Sequence, residues 1–365
     1  MVATASTIQQ FTGLSDGECT ARINAAKAAL GDRLIILGHH YQREEVFVHA
    51  DVSGDSLKLS RAAAESEADY IIFCGVHFMA EVADILSRPN QIAMLPDLSA
   101  GCSMADMANL AKVERAWQEI SRVLDPDEHV TPVTYINSAA DLKAFCGRHG
   151  GVVCTSTNAQ QILEWSFERR EKVLFFPDQH LGRNTAAKMG IALDEMVVWD
   201  FDQPFGGLSK EQIKNAKMIL WKGFCSVHQM FKAEDIDRFR AMYPDVKVIS
   251  HPEASYEVCQ KSDYVGSTEY IINTVAASAA GSRWLVGTEL NLVTRLHEQH
   301  KHQDKSVHFM SPTVSMCSTM FRVDPQHLLW QLENLVEGNV VNQITVPASD
   351  ADEARDALNR MLAIR

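Results

Sequence analysis

The sequence predicts an α/β protein built of three related units of about 100 residues each. Three observations carry that expectation. Short, nearly unbroken apolar runs alternate with amphipathic helical stretches. Four sequence landmarks recur three times in the same order. A Cys-Ser pair falls once in each recurrence.

The apolar runs are Leu34-Ile35-Ile36-Leu37, Tyr70-Ile71-Ile72-Phe73, Val173-Leu174-Phe175-Phe176, Met218-Ile219-Leu220-Trp221 and Val246-Lys247-Val248-Ile249. Runs of this length without polar alternation fit strands of a parallel sheet covered on both faces. Between them, 56–67, 103–122, 158–169, 226–241 and 325–336 read as helices. Such alternation implies right-handed crossover units. The stretch 200–212, with Pro204 and Gly206-Gly207, reads as a loop.

The first landmark is a strand ending in polar groups: Leu37-Gly38-His39-His40-Tyr41, Val133-Thr134-Tyr135-Ile136-Asn137 and Ile249-Ser250-His251-Pro252-Glu253. The second is a small hydroxyl cluster opening a helix: Gly54-Asp55-Ser56, Thr155-Ser156-Thr157 and Gly266-Ser267-Thr268. The third is a strand followed by a polar turn, beginning at Phe73, Phe176 and Leu285. The fourth is Cys102-Ser103, Cys225-Ser226 and Cys317-Ser318, each expected to open a helix. The recurrence, roughly 100 residues long, is the signature of internal repetition. It divides the 365 residues into units at 1–125, 126–240 and 241–365.

Composition narrows the function. Hydrophobic residues make up 46% and charged residues 22%, as in ordinary globular proteins. The net charge of -13, without a Lys/Arg block, argues against nucleic acid as a partner. No run of about 18 apolar residues is present to span a membrane. The start, Met1-Val2-Ala3-Thr4-Ala5-Ser6, lacks the basic-then-apolar pattern of a secretory signal. A cytoplasmic location follows as the expectation, and in that reducing compartment the eight cysteines are not expected to pair.

Functional residues of α/β units gather beyond the carboxyl ends of the strands. Three converging units would bring together three cysteines, three helix N-termini and a set of His, Tyr, Asn and Glu side chains. Helix N-termini favour anions, and Ser56, Ser156, Ser267 and Thr268 stand there as residues of capping type. No Cys-x-x-Cys pair occurs, so ferredoxin, zinc-ribbon and thioredoxin spacings are absent. Dispersed thiolates select zinc, copper(I) or an iron–sulfur cluster. Cys19, Cys74, Cys146, Cys154 and Cys259 lack the Cys-Ser context and read as buried apolar side chains. His77, His180 and His228 read as structural or as supporting a site, and Asp178 with Arg183 as an internal ion pair.

Gly38-His39-His40-Tyr41-Gln42, Gly54-Asp55-Ser56-Leu57, Gly75-Val76-His77-Phe78-Met79-Ala80-Glu81, Gly101-Cys102-Ser103-Met104-Ala105-Asp106, Pro177-Asp178-Gln179-His180-Leu181-Gly182-Arg183, His251-Pro252-Glu253 and Val265-Gly266-Ser267-Thr268 are ordered segments of this chain. Together they resemble the motifs of the quinolinate synthases, in the Bacillus-like form, over about residues 18–363. The resemblance implies three homologous three-layer αβα domains arranged around a pseudo-threefold axis with a central active site, and a transferase of NAD biosynthesis. Such an enzyme condenses iminoaspartate with dihydroxyacetone phosphate to quinolinate, phosphate and water. It also implies one 4Fe-4S cluster per chain, on Cys102, Cys225 and Cys317, and L-aspartate oxidase as the upstream partner. Substrate-contacting positions match His39, Ser56, Tyr135, Asn137, Ser156, His251, Glu253 and Thr268. Glu253 and Tyr41 are the expected acid–base groups, with His39 and His251 positioning carboxylates or shuttling protons. A monomer or homodimer is expected. Val314 and Ser315 stand where several members carry an extra cysteine, so no disulfide switch is expected here. Two other readings stay open on the residues alone: an iron–sulfur sensor without catalysis, and a three-thiolate zinc enzyme.

Overall fold

The computed structural model describes residues 5–364, so Met1 to Thr4 of the segment read for a targeting signal lie outside them. Three parallel sheets flanked by helices form the architecture. The first contains β1 (Leu34–His39), β2 (Val52–Gly54), β3 (Tyr70–Cys74) and β4 (Ile92–Met94), in the order β2-β1-β3-β4. The second contains β5 (Val130–Tyr135), β6 (Val152–Cys154), β7 (Lys172–Phe176), β8 (Met196–Trp199) and β9 (Met218–Trp221), in the order β6-β5-β7-β9-β8. The third contains β10 (Lys247–Ser250), β11 (Tyr264–Val265), β12 (Arg283–Gly287) and β13 (Ser306–Phe309), in the order β11-β10-β12-β13. One sheet falls within each of the three spans read from the repeat.

The sheets share a wiring. In each, the first strand is central, the second pairs on one side and the third on the other. The second sheet adds β8 beyond β9. Register puts the first landmark at equivalent places: His39 opposite Gly54, Tyr135 opposite Cys154, and Ser250 opposite Val265. All five predicted apolar runs are strands, and their side chains are mostly buried. Phe175, Phe176, Trp221 and Trp284 are among the most buried. Burying each such side chain contributes about 1.5–3 kcal/mol before conformational entropy is counted.

By compactness the chain forms two units. One runs up to Cys102 and includes Met316–Val346; the other comprises Ser103–Ser315 and the segment from Pro347. In the first, Gln343 bridges Met94 beside β4, and the Pro325–Val336 helix packs on the Asp16–Leu30 helix. In the second, the closing helix Ala348–Ala363 lies across the Ala140–Arg148 helix. Gly147 permits that approach, because a Cβ there would strike the Glu353 carbonyl oxygen. No helix among the described residues is long and apolar enough to cross a membrane.

Local structure departs from the sequence reading in three places. The Cys-Ser pairs do not open α-helices. Each cysteine stands three residues before a one-turn 3-10 helix: Ala105–Met107, His228–Met230 and Met320–Arg322. The longer helices begin afterwards, at Leu110, Ala233 and Pro325, where Asn109 and Asp324 cap two of them. Secondly, the hydroxyl residues are not all caps. Asp55 caps the Ser56–Glu65 helix and Ser267 caps the Thr268–Ala277 helix, which leaves Ser56 and Thr268 at the first helical positions. Asn158, not Ser156, precedes the Ala159–Phe167 helix. A neighbour that accepts the helix N–H bond releases the following hydroxyl from that task. Thirdly, 200–212 is not plain loop: it holds a turn at Pro204–Gly207 and the start of the Lys210–Asn215 helix.

Candidate active site

The second compact unit carries a buried polar centre beyond the carboxyl ends of β5 and β10. Glu253 follows β10 by three residues, and Tyr135 is the last residue of β5. The Tyr135 hydroxyl donates to Glu253 Oε1 at 2.6 Å. His228 Nδ1 stands 2.9 Å from Glu253 Oε2, and His251 Nδ1 lies 3.9 Å from Oε1. The His228 and His251 rings stack, with centroids 4.8 Å apart and planes at 28°. All four side chains are buried. An apolar shell raises the cost of every charge in such a cluster, so each must be compensated.

The electrostatics follow. Burial alone would raise the pKa of Glu253. The neighbouring His228 and His251, with hydrogen bonds from His228 and Tyr135, outweigh it and hold the carboxyl well below the ordinary range. Burial, assisted by His228, lowers His251 to about 3 against the pull of Glu253, so it is neutral at neutral pH. Asp178 is also fully buried. Burial and then the nearby Glu253 push its pKa well up, while its Oδ2 caps the Gln179–Lys188 helix by accepting from Leu181 N at 2.7 Å. Two carboxyls driven apart in this way can hold opposite protonation states at one pH.

Asp178 and Arg183 attract each other as the expected internal pair, but each makes its hydrogen bonds elsewhere. Arg183 donates to Gln179 Oε1 at 3.1 Å and lies against His180. His180 is lowered to about 4, chiefly by burial and then by Arg183. Asn137, half-buried just past β5, has an Oδ1 with no hydrogen-bond partner among the described residues. Buried polar atoms are nearly always satisfied, so an orphan beside a polar centre suits a ligand. Ser156 lines a cleft of about 450 Å³ with Ser267, Asn184 and Pro252, and Thr268 is buried at the head of its helix.

The first compact unit places His39 at the end of β1, where it packs edge-on against Tyr41 with centroids 4.7 Å apart. Tyr41 N donates to His39 Nδ1 at 3.2 Å. Ser56 follows β2 by two residues, as Ser156 follows β6. Cys317 lies on a segment pinned at two points. Arg43 stacks on Phe321 at 3.5 Å and donates to its carbonyl at 2.7 Å. Arg322 Nε donates to Asp97 Oδ2 and Ser99 Oγ, both at 2.9 Å, and Asp97 opens the turn that leads to Cys102.

The eight cysteines separate by environment. Cys102, Cys225 and Cys317 are partly exposed, and the other five are buried. Burial pushes Cys74 and Cys259 up to about 12 and also raises Cys19, Cys146 and Cys154, so these five resist becoming thiolates. Cys225 Sγ, a His228 ring nitrogen and a Glu253 oxygen lie within 4.8 Å of one another. Gly223, two residues before Cys225, lies so close to Pro177 that a Cβ would strike the Pro177 carbonyl oxygen. Ser315 Oγ donates to the Val227 carbonyl at 3.0 Å, which gives a packing role to the residue at the missing-cysteine position. The three partly exposed thiols, each three residues before a one-turn 3-10 helix, are the ones whose surroundings leave a soft-metal ligand available.

His228, read from the sequence as structural or as supporting a site, stands directly on the Glu253 carboxylate. It opens the 3-10 turn after Cys225, where the other two turns have Ala105 and Met320. The Cys225-x-x-His228 spacing was the available signal.

A parallel-sheet α/β protein with a buried carboxylate–imidazole–phenol centre beyond the strand ends is, as a class, an enzyme scaffold for acid–base chemistry on a small polar substrate. The chain matches the family described as Quinolinate synthetase A protein over residues 21–363, and it belongs to that family. It is 54% identical over 370 residues to a quinolinate synthase of Rhodopirellula baltica, covering 98% of this chain and 94% of the relative. A quinolinate synthase of Nocardioides sp. is 56% identical, with 96% and 90% covered. One from Geobacillus sp. is 50% identical, with 98% and 96% covered.

Proposed function

We propose that this chain is a quinolinate synthase of NAD biosynthesis, a transferase that joins iminoaspartate to dihydroxyacetone phosphate. The products are quinolinate, one phosphate and two waters, so all atoms are accounted for. The observation that carries the reading is the buried Glu253 carboxylate, held between Tyr135 and His228. Cys102, Cys225 and Cys317 are the proposed ligands of one 4Fe-4S cluster. When bound, such a cluster with three protein thiolates supplies an open iron as a Lewis acid.

The chain's own residues do the rest. Imine–enamine tautomerisation, ring closure and dehydration each move protons, which calls for groups with settled and different protonation states. Glu253, kept ionised, takes a proton, and Tyr41 is the second acid–base group. His251, neutral, and His39 orient the substrate carboxylates by hydrogen bonding. Tyr135 and Asn137 orient the substrate. Ser56, Ser156 and Thr268, at or just before helix starts, take its anionic groups, where the N–H groups and dipole favour negative charge. We also propose that the spans 1–125, 126–240 and 241–365 act as three αβα units around one site. The enzyme works in the cytoplasm as a monomer or homodimer, with L-aspartate oxidase supplying the iminoaspartate.

The test is quinolinate formation by the anaerobically purified protein and by its Glu253→Gln variant. The wild type should form quinolinate, and Glu253→Gln should lose about 100- to 10,000-fold in kcat with its brown chromophore intact. No quinolinate from iron-replete wild type would sink the reading. A fully active Glu253→Gln would remove Glu253 from acid–base work. One observation favours a second reading: the Cys225, His228 and Glu253 donors are close enough for a single zinc ion. Zinc in place of iron and labile sulfide would decide for it.

A further inference from the structure

Asn184 lies in the Gln179–Lys188 helix, whose N-terminus is already capped by Asp178. Asparagine is a poor helix former, because its amide competes for backbone groups, so its place inside a helix is a local cost. The side chain is 8% exposed. Its Nδ2 donates to the Pro252 carbonyl at 2.8 Å and to the Ala254 carbonyl at 2.9 Å. Both protons of the amide are thus engaged by the two residues that flank Glu253. Its Oδ1 has no hydrogen-bond partner among the described residues, so the side chain is held there through its donors.

The segment it grips has left the sheet. His251 N donates to the Gly287 carbonyl at 2.9 Å, as the last ladder bond, and the chain then turns, with Ala254 N on the His251 carbonyl at 3.0 Å. Neither Pro252 nor Ala254 lies in a strand or helix. Asn184 is the nitrogen donor to both carbonyls, with Cys259 Sγ a weaker one to Ala254 at 3.7 Å, and these bonds orient the peptides that carry Glu253. Asn184 and Pro252 also line the cleft that Ser156 and Ser267 border, so the grip is made at the wall of that space.

We infer that Asn184 is a positioning residue that holds the Glu253 carboxylate on Tyr135 and His228 by clamping the carbonyls on either side of it. The inference rests on the reading of Glu253 as the acid–base group. A reacting group misplaced by a fraction of an ångström to an ångström loses rate more than it loses substrate binding.

The test is steady-state kinetics on iron-replete Asn184→Ala and Asn184→Ser, with Glu253→Gln, Glu253→Asp and the Asn184→Ala/Glu253→Asp double variant. Asn184→Ala should lower kcat about 10- to 100-fold, with KM for both substrates within about threefold of wild type and iron content unchanged. Asn184→Ser, which keeps one donor, should fall between, and it stands in if Asn184→Ala does not fold. In the Glu253→Asp background the Asn184→Ala loss should shrink to about twofold, because the clamp then has no correctly placed carboxylate to hold. Near-wild-type kcat in both Asn184 variants, or a loss that multiplies in full on Glu253→Asp, overturns the inference. If Glu253→Gln is itself fully active, the parent reading fails and the inference with it. If Glu253→Gln is inactive while the Asn184 variants are normal, the inference alone fails.

Discussion

The two compact units fix their functional side chains by different means. In the second, Glu253 is enclosed by Tyr135, His228 and His251, all buried, and the contacts are short hydrogen bonds or ion pairs out of reach of water. In the first, the segments bearing Cys102 and Cys317 are tied by Arg322 to Asp97 and by Arg43 to Phe321, where the Arg322 side chain is 51% exposed. A polar contact to a carboxylate has unequal weight in the two settings. Exposed pairs are screened and are worth about 0–1 kcal/mol. Breaking one partner of a buried pair costs about 3–5 kcal/mol, because it strands the other. The buried cluster of the second unit is therefore the more sensitive to loss of one partner, and the exposed ties of the first the less so.

The sharpest way to break this comparison is to remove one partner in each unit. His228→Ala should destabilise the protein by about 3–5 kcal/mol and abolish most turnover, since Glu253 is left buried with one fewer partner. Arg322→Gln should cost less than about 1 kcal/mol. Urea unfolding of the two variants beside wild type reads the difference. Equal losses would mean that burial does not separate the two settings.

A smaller effect comes from pH. His251 and His180 have folded-state pKa values of about 3 and about 4, below the ordinary histidine value of about 6.5. Between those limits the unfolded chain binds protons that the folded chain refuses. Unfolding free energy thus falls as pH falls from about 6.5, by up to about 1.4 kcal/mol per pH unit for each histidine. The depressed Glu253 adds its own loss only below the ordinary carboxyl range, near its unfolded value of 4.5. Unfolding midpoints measured from neutral pH downward should fall less steeply in His180→Gln than in wild type, the opposing contribution of the raised Asp178 being common to both. An identical profile in His180→Gln and wild type would contradict the assignment of His180 as buried and neutral.

Much of the fold was legible in the sequence, because buried parallel strands announce themselves as apolar runs. Leu34–His39 and Lys172–Phe176 are strands where such runs stand. The repeat was legible too, since His39, Tyr135 and His251 mark the same place at or just beyond the end of the first strand in each sheet. What failed was local. Capping depends on which of two adjacent polar residues has the right backbone angles, and pattern does not decide between Asp55 and Ser56 or between Ser156 and Asn158. The Cys-Ser turns looked helical because a 3-10 turn and an α-helix share their first spacing. Of the buried cluster, Tyr135, His251 and Glu253 stood at landmark positions of the sequence. His228 was read only as structural or as supporting a site and Asn184 not at all, because their places arise from contacts with residues 25 and about 70 positions away in the chain.

The most direct test of the account is iron and acid-labile sulfide analysis of the anaerobically purified wild type beside Cys225→Ala, Cys102→Ala, Cys317→Ala and Cys74→Ala. The account predicts about four irons and four sulfides per chain in wild type and in Cys74→Ala, with cluster and quinolinate formation lost in the other three. A Cys225→Ala protein that keeps both its cluster and its activity would contradict it.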